Sequence, residues 1–165
     1  MKFKLTVLLS ILCMLQLNAQ TLPEFNNKPA YIDAKTKTLV ELEKSQYNTM
    51  AKAKGLFKAE AGFFLNGPTS SVKLEKNAEL IFVVKVEPGT DPTSVFDLVQ
   101  FEVRNDKRVF ITSKASAAKS SNSFEKISYG IKKIKEGYYH LIAKDLKEGE
   151  YFFGASDFMY AFSIK

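Results

Sequence analysis

The 165-residue chain sets 24 Lys or Arg against 18 Asp or Glu, for a formal charge of +6, and holds one Cys, one His and no Trp. One cysteine excludes a disulfide framework and a thiolate metal cluster, and one histidine leaves zinc or iron too few nitrogen ligands. The positive excess is nearly all lysine, the arginines being Arg104 and Arg108; without a recognised binding motif it reads as solubility and edge protection, not as a nucleic-acid surface.

Residues 1–20 read as a signal peptide. Lys2 and Lys4 precede the apolar run Leu5 to Leu17 and the small, neutral stretch Asn18-Ala19-Gln20, which is the order of an export signal. The run is about thirteen residues, short of the roughly twenty that a membrane helix requires. Cleavage after Ala19 or Gln20 removes Lys2, Lys4 and Cys13, leaving about 145 residues of charge +4, one domain's worth, without a thiol. Leu12 is not the small residue that lipidation of Cys13 would need. The expectation is therefore a periplasmic or extracellular protein with neither a lipid anchor nor an integral span.

Residues 21–29 form an extended lead-in, since Pro23 and Pro29 block regular pairing, and residues 30–165 form a single domain. Fourteen Phe and seven Tyr in a chain rich in Val, Ile and Thr favour strands. Short strands are predicted over Ala30 to Asp33 and Thr38 to Glu43. The spacing of Tyr47, Met50 and Lys54 fits one or two helical turns within 44–54, ended by Gly55. Further strands follow over Leu56 to Leu65, Ser71 to Leu74 and Leu80 to Val84, the last an unbroken apolar run of a strand buried on both faces. A single helical turn is placed over Thr93 to Phe96.

Asp97 to Arg104 and Arg108 to Lys114 read as a hairpin. A three-residue loop, Asn105-Asp106-Lys107, pairs Val103 with Val109 and Phe101 with Ile111; a two-residue loop would set Val103 against Arg108 and mix apolar with charged residues. The first register is the expected one, and it places Arg104 opposite Arg108 on the outer face with Glu102 diagonally near. Ala115 to Ser123 is read as an exposed loop. Strands are then predicted over Phe124 to Ile131, Tyr138 to Ala143, Glu150 to Phe153 and Phe158 to Ile164, the last alternating cleanly. About nine or ten strands at roughly ten-residue spacing point to an all-β fold, an immunoglobulin-like sandwich of two mainly antiparallel sheets. Its predicted core draws on Phe64, Ile81, Val83, Phe101, Ile111, Leu141, Tyr151, Phe153, Phe158, Tyr160 and Phe162.

Catalytic chemistry finds little footing. His140 reads as an ordinary strand histidine, no Gly-x-Ser-x-Gly elbow occurs, and no Asp-x-Asp-x-Asp loop suggests calcium. No cofactor or metal is expected. Paired carboxylates could serve a hydrolase of envelope glycan or peptide, with Asp145, Glu148, Glu150, Asp157 and Glu102 as the candidates, provided that they converge. Arg104 and Arg108 would repel across one hairpin unless a carboxylate such as Glu102 or Asp106, or an anionic ligand, is shared between them; Lys114 and Lys119 would extend such a patch. Tyr138 and Tyr139, with Tyr129, are candidates for stacking on sugars. The closing strand also raises an eight-stranded outer-membrane barrel as an alternative, against which the non-alternating Leu80 to Val84 argues.

Asp91-Pro92 before a hydrophobic strand, the basic hairpin at Arg108, and Leu146-Lys147-Glu148-Gly149-Glu150-Tyr151-Phe152-Phe153 ahead of the Phe-x-Tyr-x-Phe strand resemble a loosely defined group of exported bacterial proteins to which no activity is attached. The resemblance spans roughly residues 67–165. It implies a β-sandwich in the cell envelope and carries over no catalytic residue. The expected role is a non-enzymatic binding or assembly module whose ligand-contacting residues are Arg104, Arg108, Glu102, Tyr138 and Tyr139. Its expected partner is an envelope protein or an acidic glycan.

Overall fold

A computed structural model describes residues 22–53, 55, 58–116, 119–122, 125–155 and 158–165. Residues 1–20, read above as an export signal, lie outside the described residues, Cys13 with them, as do Phe124 and Asp157. The chain first lays down β1 (Ala30–Ile32), β2 (Leu39–Glu41), β3 (Glu43–Gln46), β4 (Asn48–Ala53) and β5 (Lys58–Asn66). Next come β6 (Lys73–Leu74), β7 (Glu79–Lys85), β8 (Asp97–Gln100), β9 (Glu102–Arg104) and β10 (Lys107–Ser116). The last five are β11 (Lys119–Asn122), β12 (Gly130–Lys135), β13 (Tyr138–Lys144), β14 (Gly149–Ala155) and β15 (Phe158–Ile164). A 3-10 turn at Pro92–Ser94, where a helical turn was expected, is capped by Asp91, whose carboxylate accepts from the Thr93 N–H.

The all-β, mainly antiparallel sandwich is what the structure shows, but it has three sheets where two were expected. Sheet 1 runs β12-β13-β7-β1-β2, sheet 2 runs β3-β15-β14-β8 with β6 beside β15, and sheet 3 runs β11-β10-β5-β4 with β9 on β10. Sheet 2 is the middle layer because its strands are apolar at both parities. Tyr160, Phe162 and Ile164 of β15, with Leu98, Tyr151 and Phe153, pack on Tyr31, Leu80, Phe82, Val84 and Leu141 of sheet 1. The opposite parity, Val99, Phe152, Met159 and Ala161, packs on Leu65 and Phe63 of sheet 3. Phe153 sits at the centre of the larger core, with ring centroids 5.0 Å from Phe82, 6.1 Å from Phe162 and 5.9 Å from Tyr129. Burying an aromatic ring of this kind contributes about 2–4 kcal/mol, packing against neighbouring rings included, before conformational costs. A strand buried on both faces is not a strand of a spanning barrel, which turns one face to lipid. No helix among the described residues is long and apolar enough to cross a membrane.

Two long strand paths bend from sheet 2 into sheet 3. Residues 43–53 pair with β15 as β3, pass through Tyr47, and pair with β5 as β4. Residues 97–104 pair with β14 as β8, pass through Phe101, and pair with β10 as β9. With β5 on β10 and β14 on β15, six strand paths close a ring, and the smaller aromatic cluster lies inside it. Sheet 1 covers one outer wall of that ring. The wall is tight at Gly62, where a Cβ would meet the Phe110 carbonyl oxygen, beside the bulge that shifts register between Ile111 and Ser113.

Several expectations are corrected. Where a helix was expected within 44–54, residues 44–53 form none: β15 and β5 offer edges on which β3 and β4 complete a ladder, and tertiary pairing overrides a weak local preference. The expected loop over Ala115 to Ser123 contains the end of β10 and all of β11, paired from Ser113↔Asn122 to Ser116↔Lys119. The strand expected from Phe124 to Ile131 begins at Gly130, and Glu125–Tyr129 has no strand pairing. The hairpin has the two-residue register, Arg104↔Lys107, Arg108↔Val103 and Val109↔Glu102. Asn105 takes φ +55°, which asparagine tolerates well. The slip reverses the faces: Arg108 and Phe110 point into the ring, while Val109 and Ile111 lie on its outer side. Phe64, expected in the core, lies on that outer side as well, half-buried beneath the Lys107 ammonium at 4.4 Å.

Candidate functional site

The ring has two unlike ends. One is sealed by polar groups that point inward from four elements. Arg108 of β10 donates to the Glu43 carboxylate at 2.7 and 3.1 Å and to the carbonyls of Gly67 and Asn66. Glu43 of β3 also accepts from the Ser71 N–H at 2.8 Å. Beside it Glu150 of β14 accepts from the Ser70 N–H at 2.8 Å and from the Ser163 hydroxyl at 2.6 Å, and Thr69 and Ser163 share a hydrogen bond at 2.9 Å. The loop 67–71 is thus tied to sheets 2 and 3 together. Burial by itself raises the Glu43 carboxyl. Hydrogen bonds from Arg108, Ser70 and the Ser71 N–H, with the Arg108 charge, outweigh burial and hold it at about 2. The Arg108 side chain is 3% exposed and Glu43 17%, so the pair is bonded internally and acts as a structural clamp at this end.

Among the described residues the other end is open and apolar. Tyr47, Phe63, Val99, Phe110, Thr112, Phe152 and Met159 line a chamber of about 370 Å³ whose rim includes Asp97, Gly154 and Phe158. Apolar clefts of about 300–1,000 Å³ with a few polar groups are the usual form of small-ligand sites. Phe110 stands on one side of it, its ring 5.3 Å from that of Phe152. Beyond Phe110 and Val99, which both spaces share, a groove of about 480 Å³ opens to the surface between β10 and the segment Glu125–Ser128. The groove follows from the pairing. On the edge of β10 away from β5, residues 107–109 bond to β9 and 113–116 to β11, and among the described residues no strand pairs with Phe110–Thr112 on that edge. The result is a window in the ring wall, about 10 Å long at 3.4 Å per residue.

The residues singled out from sequence do not assemble. Arg104 does not face Arg108: it bonds to Glu60 at 2.8 Å and Glu102 at 2.7 Å on the outer side of sheet 3, contacts that raise the guanidinium further, Glu102 first. The sharing of charge expected of Glu102 is seen, but for Arg104 only, and the carboxylate that balances Arg108 is Glu43. Tyr138 and Tyr139 alternate to opposite faces of β13 in sheet 1. Tyr138 lies beneath Lys135 at 4.5 Å and Tyr139 packs on the main core, so they make no common platform. Tyr129 is turned inward, its hydroxyl donating to the Phe96 carbonyl at 2.7 Å, and burial pushes the phenol up to about 12.

The carboxylates scatter likewise. Glu102 lies with Arg104, Glu150 in the sealed end, Glu148 3.7 Å from Lys76, and Asp145 in a turn at φ +52°; Asp157 is outside the described residues. His140 is half-buried, its imidazole lowered by burial and by Lys132. Among the described residues no three His, Cys, Asp or Glu side chains are grouped to hold a metal ion.

Sequence reasoning missed the chamber because the hairpin register it favoured turns Phe110 outward, and because 44–54 as a helix removes Tyr47 from any sheet. The clean alternation of β15 was the one available signal, since it placed Met159, with Ala161 and Ser163, on the face opposite the large aromatics. No protein-family model, curated protein or solved structure matches the chain.

Proposed function

We propose that the chain is an exported, non-enzymatic binding module of the cell envelope that holds its ligand in the chamber of the six-strand ring. The single observation behind this reading is the contrast between the ends of the ring. One is closed by a bonded ionic clamp, and the other leaves Tyr47, Phe63, Phe110 and Phe158 partly uncovered around an apolar space. A ring stabilised only for its own sake would fill that space with side chains, as close packing favours. Among the described residues the dispersed carboxylates supply no acid–base pair for a hydrolase, and the internally bonded arginines supply no patch for an acidic glycan.

The reading is tested with N-phenyl-1-naphthylamine, an uncharged apolar dye. Saturable binding at one dye per folded chain, with the far-ultraviolet dichroism unchanged, is expected. Binding that does not saturate, or no binding, overturns the chamber as a site. Fractionation of cells should find the protein in the soluble periplasmic or external fraction; recovery from the cytoplasm or the membrane overturns the export part of the reading.

A further inference from the structure

We infer that the ligand is a single-chain amphiphile whose polar head carries no net charge, its tail lying in the chamber and its head in the window; this rests on the chamber reading above and names the class of compound. The tail follows from the chamber wall. Of the seven residues facing inward all but Thr112 are aromatic or apolar, and Met159 among them has the adaptable side chain that suits a flexible chain. The only hydroxyls on that wall are Tyr47 and Thr112, and the Thr112 hydroxyl already donates to the Ala61 carbonyl at 3.2 Å.

The head follows from the window. Its charged residues are Glu102, Glu125, Lys114 and Lys126, two of each sign, joined by the amide of Gln100 and the hydroxyl of Ser128. Glu102 is bonded to Arg104 and Lys126 to Asp97 at 2.8 Å, so neither sign dominates the opening. A head of net charge would meet as many like charges as opposite ones, and it would lose part of its hydration. A neutral or zwitterionic head can donate to one group and accept from another. The window also rules out an extended peptide. Phe110–Thr112 is a gap about three residues long, closed at one end by β9 and at the other by β11, so an added strand would have nowhere to run.

The chain supplies its own reporter. Met50 on β4 and Met159 in the chamber are the two methionines among the described residues, and Met50 does not line the chamber. The protein labelled with ¹³C at the methionine methyls is titrated with 1-monoacylglycerols of six, eight and ten carbons below their micelle concentrations. Decylphosphocholine, decanoate and decyltrimethylammonium are titrated in the same way. A saturable shift of the Met159 methyl, with Met50 unmoved, is expected. Affinity should tighten about fourfold per added methylene until the chamber is full, with decylphosphocholine matching the ten-carbon glyceride and both charged decyl compounds about tenfold weaker.

Decanoate or the ammonium binding as tightly as the glyceride overturns the uncharged head. An affinity independent of chain length overturns the tail assignment, and so do Met50 and Met159 shifting together. Naphthylamine binding with no response to any amphiphile refutes this class of ligand and leaves the chamber standing. Failure of the dye as well removes both.

Discussion

Replacing Glu43 with Gln tests whether the sealed end holds the ring together. Arg108 is the most deeply buried charge described, and among the described residues Glu43 is the carboxylate bonded to it, its other contacts being the Gly67 and Asn66 carbonyls and the Phe101 ring. Taking the charge from one partner of such a pair leaves a guanidinium that has lost its hydration and its counter-charge, at a cost of about 3–5 kcal/mol. Gln retains an oxygen acceptor and lowers the expected loss to about 2–3 kcal/mol at pH 7. The titration of Glu43 offers a second route to the same quantity. Its carboxyl is held at about 2 against 4.5 in the unfolded chain. A depressed carboxyl contributes its full stability above pH 4.5, and the contribution is lost as pH falls through 2. The full shift corresponds to about 3 kcal/mol, and discounting for solvent that reaches the carboxylate brings it to about 2 kcal/mol. Urea unfolding followed by circular dichroism from pH 7 to pH 2 measures both. The wild-type advantage over Glu43→Gln should be constant above about pH 5 and shrink toward zero near pH 2. Glu43→Gln with Arg108→Met should cost less than Glu43→Gln alone, because no charge is then left unpaired. A loss below about 0.5 kcal/mol at pH 7, or an advantage that persists unchanged to pH 2, refutes the reasoning.

Gly62→Ala should destabilise by at least about 2 kcal/mol in thermal unfolding, since its Cβ would meet the Phe110 carbonyl, a backbone atom that cannot swing aside; an unchanged midpoint would show that the ring wall is looser than the structure has it. Asn105→Gly should be neutral to slightly stabilising and Asn105→Val should cost about 1–2 kcal/mol, because only the latter resists φ +55°; equal stabilities of the two variants would contradict the two-residue loop. Phe153→Ala should cost about 3–5 kcal/mol in denaturant unfolding, its ring being fully buried among Phe82, Phe96, Phe162 and Tyr129. A loss under 1 kcal/mol would mean that sheets 1 and 2 do not share that core.

The contrast between β15 and the hairpin shows how far pattern carries. In β15 every second residue is large and apolar, and the strand was legible in both extent and facing. It pairs along its length with β14, from Gly149↔Ile164 to Ala155↔Phe158. The hairpin β9–β10 was legible as a hairpin but not in its register. Counting apolar partners favoured Val103 opposite Val109, and this treats a charged residue on an inner face as an error. Here Arg108 is inside because Glu43, 65 residues earlier, is inside too, and no local window contains both. Val103 correspondingly is left 49% exposed at the rim of the sealed end. Residues 44–54 were opaque for a related reason: their strands are edges completed by β15 and β5, and in isolation they carry neither a period of two nor a convincing helix.

An all-β chain was readable from local preferences, because aromatic and β-branched residues recur in short runs punctuated by turns such as Asn66-Gly67-Pro68 and Lys147-Glu148-Gly149. The sequence also placed β7 and β15 as buried strands, since an unbroken or strictly alternating apolar run has few other resting places. Three features emerge only from long-range packing: sheet 2 lies between two others, residues 43–53 and 97–104 bend from one sheet to the next and close a ring, and the ring, among the described residues, is clamped at one end and open at the other. Each of these depends on contacts between residues tens of positions apart, where pairing energy and the burial of a matched charge outweigh what any segment prefers alone.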